Sequence, residues 1–222
     1  MAATDAAFIT LAGRGEAELR VRGSRFLAVA APAATEEAAR ELLTSLQRLH
    51  FDATHHCSAW RFREGSWRAN DAGEPGGSAG APILAAIDAD GLIDTAVIVI
   101  RYFGGTKLGV GGLVRAYGDA AAAALAVASR REGMPAVHVR IPYEYSHTAP
   151  VMRVLDSAGA AEVRHGFASG GAAAVVEATV PLGDLQPLRE TLRETTAGAV
   201  QVETTGTSVL YRRLPRSGSL SA

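Results

Sequence analysis

The chain contains a single cysteine, Cys57, in 222 residues. An intramolecular disulfide is thereby excluded, and the usage fits a reducing compartment. Lysine is almost as scarce: Lys107 stands alone among 22 basic residues, an arginine bias of the kind a GC-rich coding sequence produces. Net charge is nearly absent, at −1, and acidic and basic residues balance in both halves, so neither half is a basic domain. Any hold on a phosphate backbone must therefore come from a local patch, because such binding depends on clustered Lys and Arg. No apolar run reaches the length expected of a membrane span. The opening MAATDAAFITLAGRGE lacks the basic start and sustained apolar stretch of a signal peptide. These absences lead us to expect a cytoplasmic protein with no membrane partner.

What is present describes a globular chain. Apolar residues make up 48% and charged residues 20%, and the length suits two domains, each with its own core. Apolar alternation from Ala6 to Ala33, broken at Gly13-Arg14-Gly15 and at Gly23, predicts two or three antiparallel strands. Thr35 is placed to cap a helix whose first turn carries Glu36 and Glu37, with Ala39, Leu42, Leu43, Leu46 and Leu49 as its apolar stripe. Residues 52–62 read as a strand, and a glycine-rich loop then feeds a short helix over about 80–89 with Pro82 in its first turn. IDTAVIVIRY reads as a buried strand, and Gly112 to about Arg131 as a long helix ended by a linker at Gly133-Met134-Pro135. Beyond it the order is strand, helix, strand, strand, helix, strand. The middle strands flank Ser169-Gly170-Gly171, Leu185, Leu188 and Leu192 share one helix face, and the last strand has a bend at Gly206. This is the ferredoxin-like order. The expected fold class is α+β, with domains at 1–132 and 137–211 and a flexible tail at 212–222.

The stretch RYFGGTKLGVGGLVRAYGDAA, from Arg101, holds six glycines where a strand meets a helix. It is not a P-loop, because Lys107 is followed by Leu108 and the metal-binding hydroxyl is missing. Nor is it a dinucleotide fingerprint, since Val114 stands where the third glycine belongs. The physics those motifs share still applies: a glycine-rich entry to a helix leaves N–H groups unpaired at the positive end of the helix dipole, where anions settle. Gly104, Gly105, Gly109, Gly111 and Gly112 would supply backbone, and Arg101, Lys107 and Arg115 charge. The competing reading is architectural, with the glycines allowing close strand–helix packing and Arg115 pairing with Asp119 at i,i+4 spacing. A second loop, Gly73 to Gly80, also opens a helix. It brings Asp71, Gly73, Glu74 and Ser78, which would frame a cleft with the first loop or simply satisfy a turn. On a strand, His55 and Cys57 face one side and His56 the other. No metal site and no catalytic residue is assigned to them, and no cofactor is expected.

Those same segments, RYFGGTKLGVGGLVRAY with GEPGGSAGAPIL, DATHHC and SRF at 24–26, resemble the IMPACT (YigZ) family from about residue 8 to 210. The family signature falls on Arg101, Tyr102, Phe103, Gly104, Gly105, Lys107, Gly109, Gly111, Gly112, Arg115 and Tyr117. Its acidic loop falls on Asp71, Gly73, Glu74, Pro75, Gly77, Ala79 and Gly80. Ala72 stands where members usually carry a second Asp, and Ser78 where they carry Thr; the lost carboxylate argues against a mechanism needing paired aspartates there. The resemblance implies an N-terminal domain like the second domain of a small-subunit ribosomal protein and a C-terminal domain like the last domain of elongation factor G. Eukaryotic relatives look like translation regulators that compete for the activator of an initiation-factor kinase, and they carry a further domain of a different kind. From this follow three expectations. The first is a non-enzymatic, translation-linked protein whose partner is RNA or a ribosomal component, bound through the loop 101–115, with Tyr102 or Phe103 either as a stacking surface or as part of the core. The second is a nucleotide- or phosphate-binding enzyme using that loop, and the third a protein–protein adaptor.

Overall fold

The computed structural model describes residues 6–167 and 173–214. The expected turn at Ser169-Gly170-Gly171 and most of the expected tail lie outside the described residues. The chain divides into two compact units, one containing Phe8–Glu132 and the other Gly133–Arg212.

In the first unit, β1 (Phe8–Leu11) bridges Ile9 to Leu92. The strands β2 (Gly15–Val21), β3 (Ser24–Pro32), β4 (His55–Arg61), β5 (Trp67–Asn70) and β6 (Thr95–Tyr102) form an antiparallel sheet in the order β2-β3-β6-β4-β5. β5, not expected from the sequence, is a four-residue strand, Trp67-Arg68-Ala69-Asn70, whose residues are all exposed. α1 (Glu36–Leu49) covers one face; α2 (Gly80–Ala89) and α3 (Val110–Val127) cover the other. Central β6 is covered on both sides, hence its β-branched run without polar interruption. Val97 and Val99 point toward α2 and α3, and Ala96, Ile98 and Ile100 toward α1. Each of these valine and isoleucine side chains contributes about 1.5–3 kcal/mol when fully buried.

Thr35 caps α1 by accepting the Ala38 N–H at 3.3 Å. Ala39 and Leu46 are buried, whereas Leu49, expected on the same stripe, is 67% exposed. α3 starts at Val110 and stops at Val127, short of Arg131. The expected linker Gly133-Met134-Pro135 instead lies inside a strand, β7 (Arg130–Tyr143). By length and composition alone α3 could cross a membrane. Leu113, Tyr117 and Leu125 lie in the core instead, while Val110, Val114 and Val127 are exposed.

The second unit runs β7, α4 (Thr148–Ser157), β8 (Ala161–Phe167), β9 (Ala174–Pro181), α5 (Leu185–Thr195) and β10 (Glu203–Arg213), with sheet order β10-β7-β9-β8. Strand and helix order agree with the ferredoxin-like reading. Leu185, Leu188 and Leu192 of α5 are buried with Val151 and Leu155 of α4 and Val176 and Val180 of β9. β10 continues to Arg213, into the stretch expected to be tail.

Candidate functional site

The two glycine loops meet at one end of the first sheet. Arg101 is opposite Phe26 on β3 and opposite His55 on β4, and it continues the row of Val97 and Val99. Its side chain therefore turns inward, toward α2 and α3. Arg101 Nη1 donates to Glu74 Oε1 at 2.6 Å, and the two side chains are 6% and 4% exposed. The same oxygen accepts the Tyr117 hydroxyl at 2.7 Å and has His55 Nε2 at 3.8 Å. Arg101 Nη2 reaches Ser24 Oγ at 3.3 Å, which also accepts the Gly104 N–H at 3.2 Å. Glu74 thus ties the second loop to the end of β6 and to α3.

Asp71 serves its own loop. Its carboxylate accepts N–H groups from Gly77, Ala79 and Gly80 at 2.8–2.9 Å, closing the turn that opens α2. Burial acts to raise its pKa, and those three N–H groups together outweigh it, holding the carboxyl below the usual range. Ser78 is buried, and its Oγ has no hydrogen-bond partner among the described residues. Gly73 is exposed, with a positive φ of 88°.

His55 Nδ1 sits 2.9 Å from Ala72 O, and Cys57 Sγ donates to Asp71 O at 3.1 Å. Both face this cluster, as their alternation requires, and His56 faces away. Burial pushes the Cys57 thiol up to about 12, with the nearby Glu74 and Asp71 charges adding to the effect against the opposing Tyr117 hydroxyl and Arg101. Burial likewise raises the Tyr117 phenol, helped by Cys57 and Glu74. Cys57 is thus a buried thiol and not a nucleophile. Alkylation by iodoacetamide near pH 8 should be about three orders of magnitude slower in the folded protein than in urea; equal rates would show the thiol to be activated. Among the described residues no group of three or more His, Cys, Asp or Glu is placed to hold a metal ion.

The first loop is mostly surface. Phe103 to Lys107 and Gly109 to Gly111 are exposed, as is Arg115. Gly109, at φ 70°, precedes α3, and among the described residues no side chain caps the helix, so the N–H groups of its first turn remain available. A Cβ added at Gly105, Gly109 or Gly111 would meet nothing within 4 Å. Close packing therefore does not account for those three glycines. It does account for Gly104, whose added Cβ would lie 1.9 Å from Gly23 C, and in part for Gly112, 3.1 Å from Leu108 Cβ. No ion pair joins Arg115 to Asp119 among the described residues. Arg101, expected to lend charge to this surface, does not: it is buried and neutralised by Glu74. Tyr102 is also withdrawn, its hydroxyl 2.9 Å from His50 Nδ1, whereas Phe103 is 47% exposed. Sequence reasoning missed the approach of the β2–β3 turn to this loop; the glycine at position 23 was its only trace.

The sheet, its two helix layers and the second unit define a two-unit α+β protein with paired glycine loops at one end of the first sheet. Residues 22–125 match the Impact N-terminal domain family. The chain is 43% identical over 113 residues to the IMPACT family member YvyE of Bacillus subtilis, an alignment covering 50% of this chain and 52% of YvyE. It is 48% identical over 125 residues to the Thermus thermophilus "IMPACT family member in pol 5'region". It is 34% identical over 139 residues to the IMPACT family member YigZ of Escherichia coli. These alignments cover 55% and 61% of this chain and 68% of each relative. A solved structure described as a hypothetical protein superposes with a TM-score of 0.64 at 26% identity, over 90% of this chain and 97% of that one. The chain belongs to the IMPACT family.

Proposed function

We propose that this chain is a non-enzymatic, translation-linked protein of the cytoplasm that binds RNA, free or within a ribosomal particle, through the loop 103–115. The observation that carries this reading is the open entry to α3. Gly105, Gly109 and Gly111 face free space, no side chain among the described residues caps the helix, and Lys107 and Arg115 are exposed beside it. A phosphate can approach such backbone closely, draw on the helix dipole and gain charge-assisted contacts. Family membership, through the expectation of units like the second domain of a small-subunit ribosomal protein and the last domain of elongation factor G, supports the same reading. Transfer of a phosphoryl group is less well supported, because it needs a carboxylate to hold a metal ion. Asp71 is engaged with three backbone N–H groups and Glu74 with Arg101 and Tyr117.

Anisotropy of a labelled RNA against increasing salt tests the proposal. Affinity should fall steeply with salt, and Lys107→Ala should weaken it and lower the salt slope by about one. An affinity indifferent to both treatments would exclude phosphate binding at this loop.

A further inference from the structure

The edge that carries the glycine loop is built from three segments. The Gly104 N–H donates to Ser24 Oγ, and the Gly104 backbone lies flush against that of Gly23, so the β2–β3 turn, Arg22-Gly23, sits beside the loop. On the other side the Phe103 N–H donates to Thr54 Oγ1 at 3.1 Å, and the Thr54 N–H to Arg101 O at 2.9 Å. That bond brings in the α1–β4 connection, which begins His50-Phe51-Asp52. Phe51 is 84% exposed. Phe103 is stacked from within by Arg101, whose Cζ lies 5.4 Å from its ring centroid, and its remaining surface is open.

Arg22 adds a second argument. It occupies the first position of a two-residue hairpin turn at φ 46°, ahead of Gly23 at φ 83°. Such turns favour Asn or Asp at that position, and a long side chain in the left-handed region is strained. Arg22 is exposed, and its guanidinium forms no ion pair among the described residues. Arg25 lies close by, its guanidinium 4.3 Å from the centre of the Tyr102 ring.

We infer that this edge is a binding surface for single-stranded RNA, with unpaired bases stacked on Phe103 and Phe51 and the sugar–phosphate strand held between Arg22 and Lys107. Exposed aromatic rings interleaved with cations are what unpaired nucleotides require, because every base offers a π-face to stack while the backbone supplies charge. A duplex conceals those faces and would use the cations alone. This rests on the RNA reading above and specifies the form of RNA that the surface takes.

Anisotropy on the full chain with a labelled oligouridine of about 12 nucleotides, compared with an RNA duplex of matching length, decides the matter. The single strand should bind more tightly. Phe103→Ala and Phe51→Ala should each weaken it about tenfold while leaving the salt slope unchanged, and Phe103→Trp should restore binding. Arg22→Asn should raise the unfolding midpoint, since the turn favours Asn, yet weaken binding and lower the salt slope by about one. Equal or tighter binding of the duplex, or aromatic variants within twofold of wild type, would overturn the stacking inference while salt-dependent binding kept the RNA reading alive. Failure of both probes to bind at low salt would remove both.

Discussion

Replacing Glu74 with alanine is expected to destabilise the first unit by about 3–5 kcal/mol, the usual loss when one member of a buried ion pair is deleted. Arg101 and Glu74 are both nearly inaccessible, so the variant leaves a guanidinium in the core without its counter-charge. Tyr117 at the same time loses the acceptor of its hydroxyl. Neither group can turn to water, because Tyr117 is packed edge-on to Phe26 with ring centroids 5.1 Å apart and Arg101 lies between Phe26 and Phe103. Both tryptophans of the chain, Trp60 and Trp67, lie in this unit, so their fluorescence in urea reports its unfolding separately from the second unit. The double variant Glu74→Leu with Arg101→Met should recover much of the loss, since replacing a whole buried pair by apolar groups is often neutral. If Glu74→Ala costs under about 1 kcal/mol, the pair behaves as a solvated surface bridge and the account of the cluster is wrong.

That cluster also shows where the sequence was legible and where it was not. Apolar patterning located the strands of both units other than β5, and the Thr35 and Pro82 signals placed two helix starts within a residue. The period of two was sufficient to send Arg101 inward with Val97 and Val99, but its position at a strand end, beside a glycine-rich loop, favoured reading it as a surface cation. What no local pattern could contain is the partner. Glu74 is 27 residues from Arg101 and 43 from Tyr117, and only the folded sheet brings them together. Helix α3 was read too far because Ala128 to Arg131 has ordinary helix formers and no breaker until Gly133. Strand pairing overrode that local preference and drew Arg130 into β7.

The second large effect concerns the glycines themselves, which differ in what they do although they look alike in the sequence. Gly104→Ala is expected to cost about 3 kcal/mol or more. The new methyl would fall 1.9 Å from Gly23 C, 2.0 Å from Gly23 O and 2.3 Å from Ser24 N. All three are backbone atoms, with no flexible end to yield, and separating the turns would break the Gly104 bond to Ser24 Oγ. Gly111→Ala, seven residues on, should instead stabilise by about 0.5–1 kcal/mol, the difference in helix propensity between the two residues, because a methyl there meets nothing. The pair can be compared by tryptophan fluorescence in urea, and two losses of similar size would contradict the packing described here. Because folding alone would favour alanine at Gly111, the same variant should bind RNA less well while unfolding later, its methyl obstructing a phosphate that must come up against the first turn of α3. A Gly111→Ala protein with unchanged affinity would mean that ligand approach does not require bare backbone at that position.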